Sequence, residues 1–249
     1  MQGDSSSPLL DQHVVVVGGT SGMGAGVAAA AARAGARVVI AGRRPLGARA
    51  AFAAGAGTVD HAIVDVTDEA SVRALFERSG ALDHLVVTAA PAAGAAGAFL
   101  AGDLGELRRY LDDKLLGSVA CARWAAPRIR PGGSITFLTG VAAVKPRAGM
   151  VMISVAFAAV EALGRALALE LGPLRVNTIR PGVIDSDMWS FLDDGARQQL
   201  RTKVTAAFPV RRIGAVEDIG HAAVFLMTNP YVTGSVLEVS GGESLVDAF

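Results

Sequence analysis

Residues 18 to 24 read Gly18-Gly19-Thr20-Ser21-Gly22-Met23-Gly24, directly after a β-branched run and directly before an alanine-rich segment of helical character. Glycines at such a junction let the backbone turn tightly and approach a phosphate, while the helix amino terminus offers N–H donors and a positive partial charge. That chemistry fits a pyrophosphate, and so a dinucleotide. Gly18, Thr20, Ser21, Gly22, Met23 and Gly24 are the candidate contacts. The spacing Gly18, Gly22, Gly24 differs from the G-x-G-x-x-G fingerprint, and its place between strand and helix gives the pattern its weight.

Roughly 20 residues past such a loop an acidic side chain usually holds the ribose hydroxyls of NAD. Here the second strand ends Ile40-Ala41-Gly42-Arg43-Arg44 and the acid is missing. Two guanidiniums suit a bidentate phosphate contact, so NADP(H) is expected over NAD(H), with Arg43 the first choice and Arg44 beside it. The plainer alternative is that both arginines are solvated surface. Asp65 and Val66 are placed against the adenine, and Ala89 and Ala90, which open an Ala/Gly tract running to Gly102, against the cofactor.

Positioning these residues needs a frame, and the chain supplies one. Short β-branched runs at His13–Val17, Arg37–Ala41, Ala62–Val66, Leu85–Thr88, Ser134–Leu138, Arg175–Ile179 and Val236–Val239 are seven strand candidates. Between them Gly22–Ala34, Glu69–Arg78, Leu104–Arg128, Gly149–Leu171 and Val216–Met227 read as helices. Apolar strands joined by helical crossovers indicate a doubly wound α/β fold of Rossmann type, with a parallel seven-stranded sheet. Ligands then bind beyond the carboxyl ends of the strands. No linker or repeat divides the chain, which predicts a flexible tail over 1–10 and a single domain over 11–249.

Composition narrows the function. Of 249 residues 51% are hydrophobic and 18% charged, which excludes disorder. Lys plus Arg equals Asp plus Glu at 23 each, so no global charge signal points to nucleic acid or a membrane surface. One cysteine, Cys121, excludes an intramolecular disulfide and any multi-cysteine metal site, and fits a reducing cytoplasm. Four scattered histidines lack ligand spacing, so no metal is expected. Met1–Pro8 lacks the basic and apolar parts of a signal peptide. The apolar run Ala148–Val160 ends at Glu161, short of the ~20 residues of a membrane span, and reads as a buried helix.

Taken in order, the glycine loop, Asp65-Val66, Pro131-Gly132-Gly133-Ser134, Arg175-Val176-Asn177, Pro181-Gly182, Tyr231-Val232-Thr233-Gly234 and Gly241-Gly242 resemble the short-chain dehydrogenase/reductase family over essentially the whole chain. The resemblance implies a nicotinamide cofactor, with Pro181, Gly182, Ile184 and Ser186 beside the nicotinamide. It also implies a homodimer or homotetramer paired through the long helices, and a substrate lid from Asp185 through about Phe208 that includes Asp187, Trp189 and Phe191.

The family's proton relay uses a tyrosine, a lysine four residues later, a serine and an asparagine. Anchored on Ala158-Ala159-Val160-Glu161-Ala162-Leu163, the resemblance puts Ile153, Phe157, Gly140 and Lys114 at those positions, in that order. None of the four matches. The chain is similar to a branch that shares this loss and is still grouped with oxidoreductases. Thr139, beside the vacated serine, and Lys114 are the candidate catalytic residues, against the plain readings of a strand-end threonine and a carbonyl-bonded lysine. Ser154 turns away from position 153 by about 100° on a helix and is read as packing. Lys145 and Arg147 could draw an anionic substrate to the cleft or simply be solvated. The expected function is hydride transfer to or from a small organic carbonyl, alcohol or activated alkene. The alternatives are a non-redox lyase, isomerase or cyclase, and an inactive nucleotide-binding protein.

Overall fold

The computed structural model describes residues 7–44, 57–89, 96–186 and 193–247. Strands β1 (His13–Val17), β2 (Arg37–Gly42), β3 (Thr58–Ile63), β4 (Leu82–Val87), β5 (Ile129–Leu138) and β6 (Arg175–Pro181) precede the two-residue strands β7 (Ile184–Asp185) and β8 (Gly214–Ala215), and β9 (Val236–Val239) follows. Seven of them form one parallel sheet in the order β3-β2-β1-β4-β5-β6-β9, with β7 and β8 paired separately. Strand order reverses at β1, between β2 and β4, so the cleft beyond the carboxyl ends of β1 and β4 is the ligand position of this topology.

Helices α1 (Gly22–Arg33), α2 (Glu69–Ser79), α3 (Leu104–Leu111), α4 (Gly117–Ala125), α5 (Val151–Glu170), α6 (Asp194–Ala207) and α7 (Val216–Thr228) complete the element order. Val14, Val16, Val38 and Ile40 face α1 and α7, while Val15, Val17, Val87 and Phe137 face α2, α4 and α5. Covered on both faces, the central strands read as unbroken apolar runs.

The structure corrects several boundaries. The third strand runs Thr58–Ile63 instead of Ala62–Val66, because it is an edge strand with one partner and alternates exposed and half-buried residues. Asp65 and Val66 therefore lie past its end. The expected helix Leu104–Arg128 is broken by a π-helical turn at Asp112–Leu116 and ends in a 3₁₀ turn. Within the expected tail, Leu9 is buried in the core and its N–H donates to the Ala34 carbonyl at 2.9 Å, while Pro8 and Leu10 are exposed. Helix α5 is long and apolar enough to cross a membrane by length and composition, yet carries Glu161, Arg165 and Glu170. It packs against the sheet along one side only, with Ala156, Val160, Glu161 and Gly164 buried and Val151, Val155 and Leu169 exposed.

Candidate functional site

The glycine loop leaves β1 with Gly18 at φ +87°. A Cβ there would lie 2.5 Å from Thr88 Oγ1 and 2.6 Å from the Ala89 nitrogen, so only glycine permits this approach to the end of β4. Ser21 stands at the N-cap of α1 without a side-chain capping bond, which leaves first-turn N–H groups facing the cleft. Gly22, at φ +53°, faces Ser186 across a small gap: its Cβ would stand 3.7 Å from that of Ser186. Met23 packs its side chain into the core below. A flat backbone cradle, free donors and a second wall at Ser186 fit a dinucleotide with its pyrophosphate on α1.

Thr20 reaches sideways from the loop to Gly42, whose Cβ would stand 2.9 Å from Thr20 Cγ2. The next residue, Arg43, is half exposed, and its Nη1 lies 4.0 Å from Asp113 Oδ1. Burial raises the Asp113 carboxyl above its ordinary range, and the Arg43 charge opposes that rise. Arg44 is exposed and its carbonyl sits 3.2 Å from His61 Nε2. Asp65 Oδ1 accepts from the Thr67 N–H at 3.0 Å and the Thr67 hydroxyl at 2.8 Å, which holds this carboxyl below the usual range. Val66 is buried against the start of α4, where a Cβ on Gly117 would meet it at 2.8 Å.

On the opposite wall Pro181 ends β6, and the Gly182 N–H donates to the Val239 carbonyl at 3.1 Å. Ile184 pairs with Gly214, and its strand neighbour Asp185 forms an ion pair with Arg201 of α6. That helix docks by Val204, and the chain just past its end by Phe208, against Val183. Ala90, Asp187, Trp189 and Phe191 lie outside the described residues.

Of the four positions that the resemblance aligns with the family's relay, 114, 140 and 157 meet around the Phe157 ring. Phe157 fills the space beside Gly140, where a Cβ would be 2.7 Å from Phe157 Cε2. Ile153 packs with Tyr110, Ala156 and Met152. Lys114 is buried, its Nζ donates to the Ala89 carbonyl at 3.2 Å and lies 5.7 Å from the centre of the Phe157 ring, and burial lowers its pKa to about 8. Thr139 is buried with its hydroxyl 3.1 Å from Glu161 Oε1 and 3.3 Å from the Ile179 carbonyl. That hydroxyl is engaged behind the cleft. Ser154 Oγ is buried and has no partner among the described residues.

Lys145 and Arg147 do not stand free at the cleft mouth. Lys145 bonds the carbonyls of Glu243, at 3.0 Å, and Val246, and Arg147 is ion-paired with Glu243. A charged network that sequence reasoning missed lies behind Thr139. Arg180 donates two hydrogen bonds to Glu161, at 2.8 and 2.7 Å, and a third to Glu238 at 3.1 Å. Its members come from α5, β6 and β9, so no local spacing announces them.

A family model described as enoyl-(acyl carrier protein) reductase matches residues 17–244. The human 3-oxoacyl-[acyl-carrier-protein] reductase is 31% identical over 247 residues, covering 95% of this chain and 100% of that protein. A crystal structure of a small-chain dehydrogenase in complex with NADPH is 32% identical with a TM-score of 0.80, covering 94% of this chain and 99% of that one. The MalC reductase/Diels-Alderase of Malbranchea aurantiaca is 26% identical with a TM-score of 0.88, covering 97% and 100%. With this likeness over nearly the full length, on a sheet and glycine loop of the matching kind, the chain belongs to the short-chain dehydrogenase/reductase family.

Proposed function

We propose that the protein is an NADP(H)-dependent oxidoreductase acting on a small organic carbonyl, alcohol or activated alkene without a Tyr–Lys relay at positions 153 and 157. The observation that carries this is the paired cradle: Gly18 against Ala89 and Gly22 facing Ser186, with Arg43 one residue past the strand that Thr20 touches. A bound dihydronicotinamide supplies the hydride. The chain's part is to hold the pyrophosphate on the N–H groups of α1, to bind the 2′-phosphate through Arg43 with Arg44 beside it, and to keep water out with Ile153 and Phe157. Asp65, Val66, Ala89, Ala90, Pro181, Gly182 and Ile184 complete the cofactor envelope in this reading. The similar human protein is named a 3-oxoacyl-[acyl-carrier-protein] reductase, which makes a 3-oxoacyl thioester a sensible first substrate.

The test is absorbance at the reduced-nicotinamide band with purified protein, NADPH and either a 3-oxoacyl thioester or 2,3-butanedione. Loss of absorbance matched by alcohol formation supports the reading, and NADPH binding without reduction of either probe counts against it. A non-redox lyase, isomerase or cyclase is the second reading. It is favoured by the apolar contact of Phe157 with Gly140 and by the second half of the name of the neighbour called a reductase/Diels-Alderase. Substrate consumption without change in nicotinamide absorbance distinguishes it.

The same reading includes self-association through α4 and α5, supported by the exposed apolar residues Leu116, Val119, Val151 and Val155 on and beside those helices. It also includes a reducing cytoplasm, for which the single, buried Cys121 is the support.

A further inference from the structure

Burying an ammonium group costs several kcal/mol unless it is compensated, and a leucine at the same place would cost nothing of the kind. Lys114 is nonetheless among the largest fully buried side chains of the protein. The π-helical turn Asp112–Leu116 carries it, and the Ser118 hydroxyl bonds its carbonyl at 2.7 Å. Its Nζ stands between two landmarks. The Ala89 carbonyl, 3.2 Å away, belongs to the residue whose nitrogen abuts Gly18, and the Phe157 ring covers Gly140. The ammonium thus reaches from the facing helix to the meeting point of the cofactor cradle and the vacated serine and lysine positions. One N–H bonds the Ala89 carbonyl, and among the described residues no other acceptor is bonded to Nζ.

We propose that Lys114 is the catalytic residue that delivers the proton to the substrate oxygen, from the helix opposite the one on which Ile153 and Phe157 stand. This rests on the oxidoreductase reading above. In carbonyl reduction the carbon gains a hydride from a dihydronicotinamide dinucleotide and the C=O π pair moves onto oxygen. An N–H bond of Lys114 breaks as the new O–H bond forms. The neutral amine left behind takes a proton from water, giving the alcohol and the oxidised nicotinamide.

The surroundings suit the task. Burial alone brings the Lys114 pKa down to about 8, where both of its protonation states are populated near neutral pH. On its own helix Asp113 faces Arg43, and on α5 Glu161, one turn past Phe157, is bonded to Arg180 and Thr139, so neither carboxylate holds the ammonium charged. Tyr110, one helical turn earlier, packs against Ile153, and burial pushes its phenol up to about 12. It stays protonated as part of the wall.

The chain has three lysines, Lys114, Lys145 and Lys203, so lysine labelled with ¹³C at Cε gives three signals assignable by substitution. In the cofactor-free protein the Lys114 signal is expected to titrate near pH 8 and to shift on adding NADP⁺. With NADPH and 2,3-butanedione or a 3-oxoacyl thioester, kcat is expected to fall as pH rises through that value. Lys114→Met should lower kcat by about 10²–10⁴ and flatten the pH profile while NADPH binding and Tm are kept. A Lys114 signal that titrates above roughly 10, as an ordinary lysine does, and ignores NADP⁺ overturns the proposal without any turnover assay. So does Lys114→Met with kcat and pH profile intact, or Tyr110→Phe abolishing the pH dependence, which would make the phenol the acid. In those cases NADPH-dependent turnover by the unaltered protein still supports the oxidoreductase reading; NADPH binding without reduction of either probe removes that reading and the lysine's role with it.

Discussion

Phe157 lies so close to Gly140 that a Cβ on residue 140 would stand 2.7 Å from Phe157 Cε2 and 3.1 Å from Cδ2. The two positions are coupled: the ring occupies the volume a side chain at 140 would need. Gly140→Ser alone should therefore destabilise the protein by about 1–3 kcal/mol through overpacking, read from urea unfolding. Combined with Phe157→Lys and Ile153→Tyr the same serine should be accommodated, and the triple variant should gain carbonyl reductase activity. A triple variant that folds, binds NADPH and is no more active than the unaltered protein would show a cleft reshaped beyond these positions.

Arg43 is the residue on which cofactor choice turns. Arg43→Ala should weaken NADPH by about 10–100-fold, the worth of a charge-assisted phosphate contact, and leave NADH nearly unchanged. Parallel titrations of the two nucleotides check this. Equal weakening would remove Arg43 from the 2′-phosphate.

Acid should destabilise the fold through His84. Its ring is buried between Ser134 Oγ, 2.8 Å from Nδ1, and Gln12 Oε1, 2.6 Å from Nε2, and burial, with Arg175 nearby, lowers its pKa to about 4. The folded value is depressed below the unfolded value of about 6.5, so this stability is complete above pH 6.5 and is lost as pH falls towards 4. At pH 5 the loss should approach about 2 kcal/mol in urea unfolding. In His84→Gln this part of the pH dependence should disappear.

Glu161 ties α5 to β6 through Arg180, both largely buried. Glu161→Leu leaves the guanidinium with Glu238 alone and strips an acceptor from the Thr139 hydroxyl. It should cost about 3 kcal/mol, seen as a lower Tm and urea midpoint.

What the sequence made legible follows its physics. Strands covered on both faces announce themselves as valine and isoleucine runs, and β1 falls at the expected residues. The edge strand Thr58–Ile63 does not, because one paired edge and an exposed face tolerate Thr58 and Asp60. The glycine loop was readable because glycine there answers a backbone need. The burial of Lys114 was not, since no proline or glycine within Asp112–Leu116 marks the π turn that carries it. Thr139 looks available in the sequence beside Gly140, and only the fold reveals Glu161 and the Ile179 carbonyl on its hydroxyl.

The most direct check on the whole account is titration of the purified protein with NADPH, followed by nucleotide fluorescence and by Tm. A saturable fluorescence change is expected, with Tm rising by about 5–10 °C when NADPH reaches roughly 100 times its Kd. No change in either signal at about millimolar NADPH, above the usual range for such ligands, would contradict it.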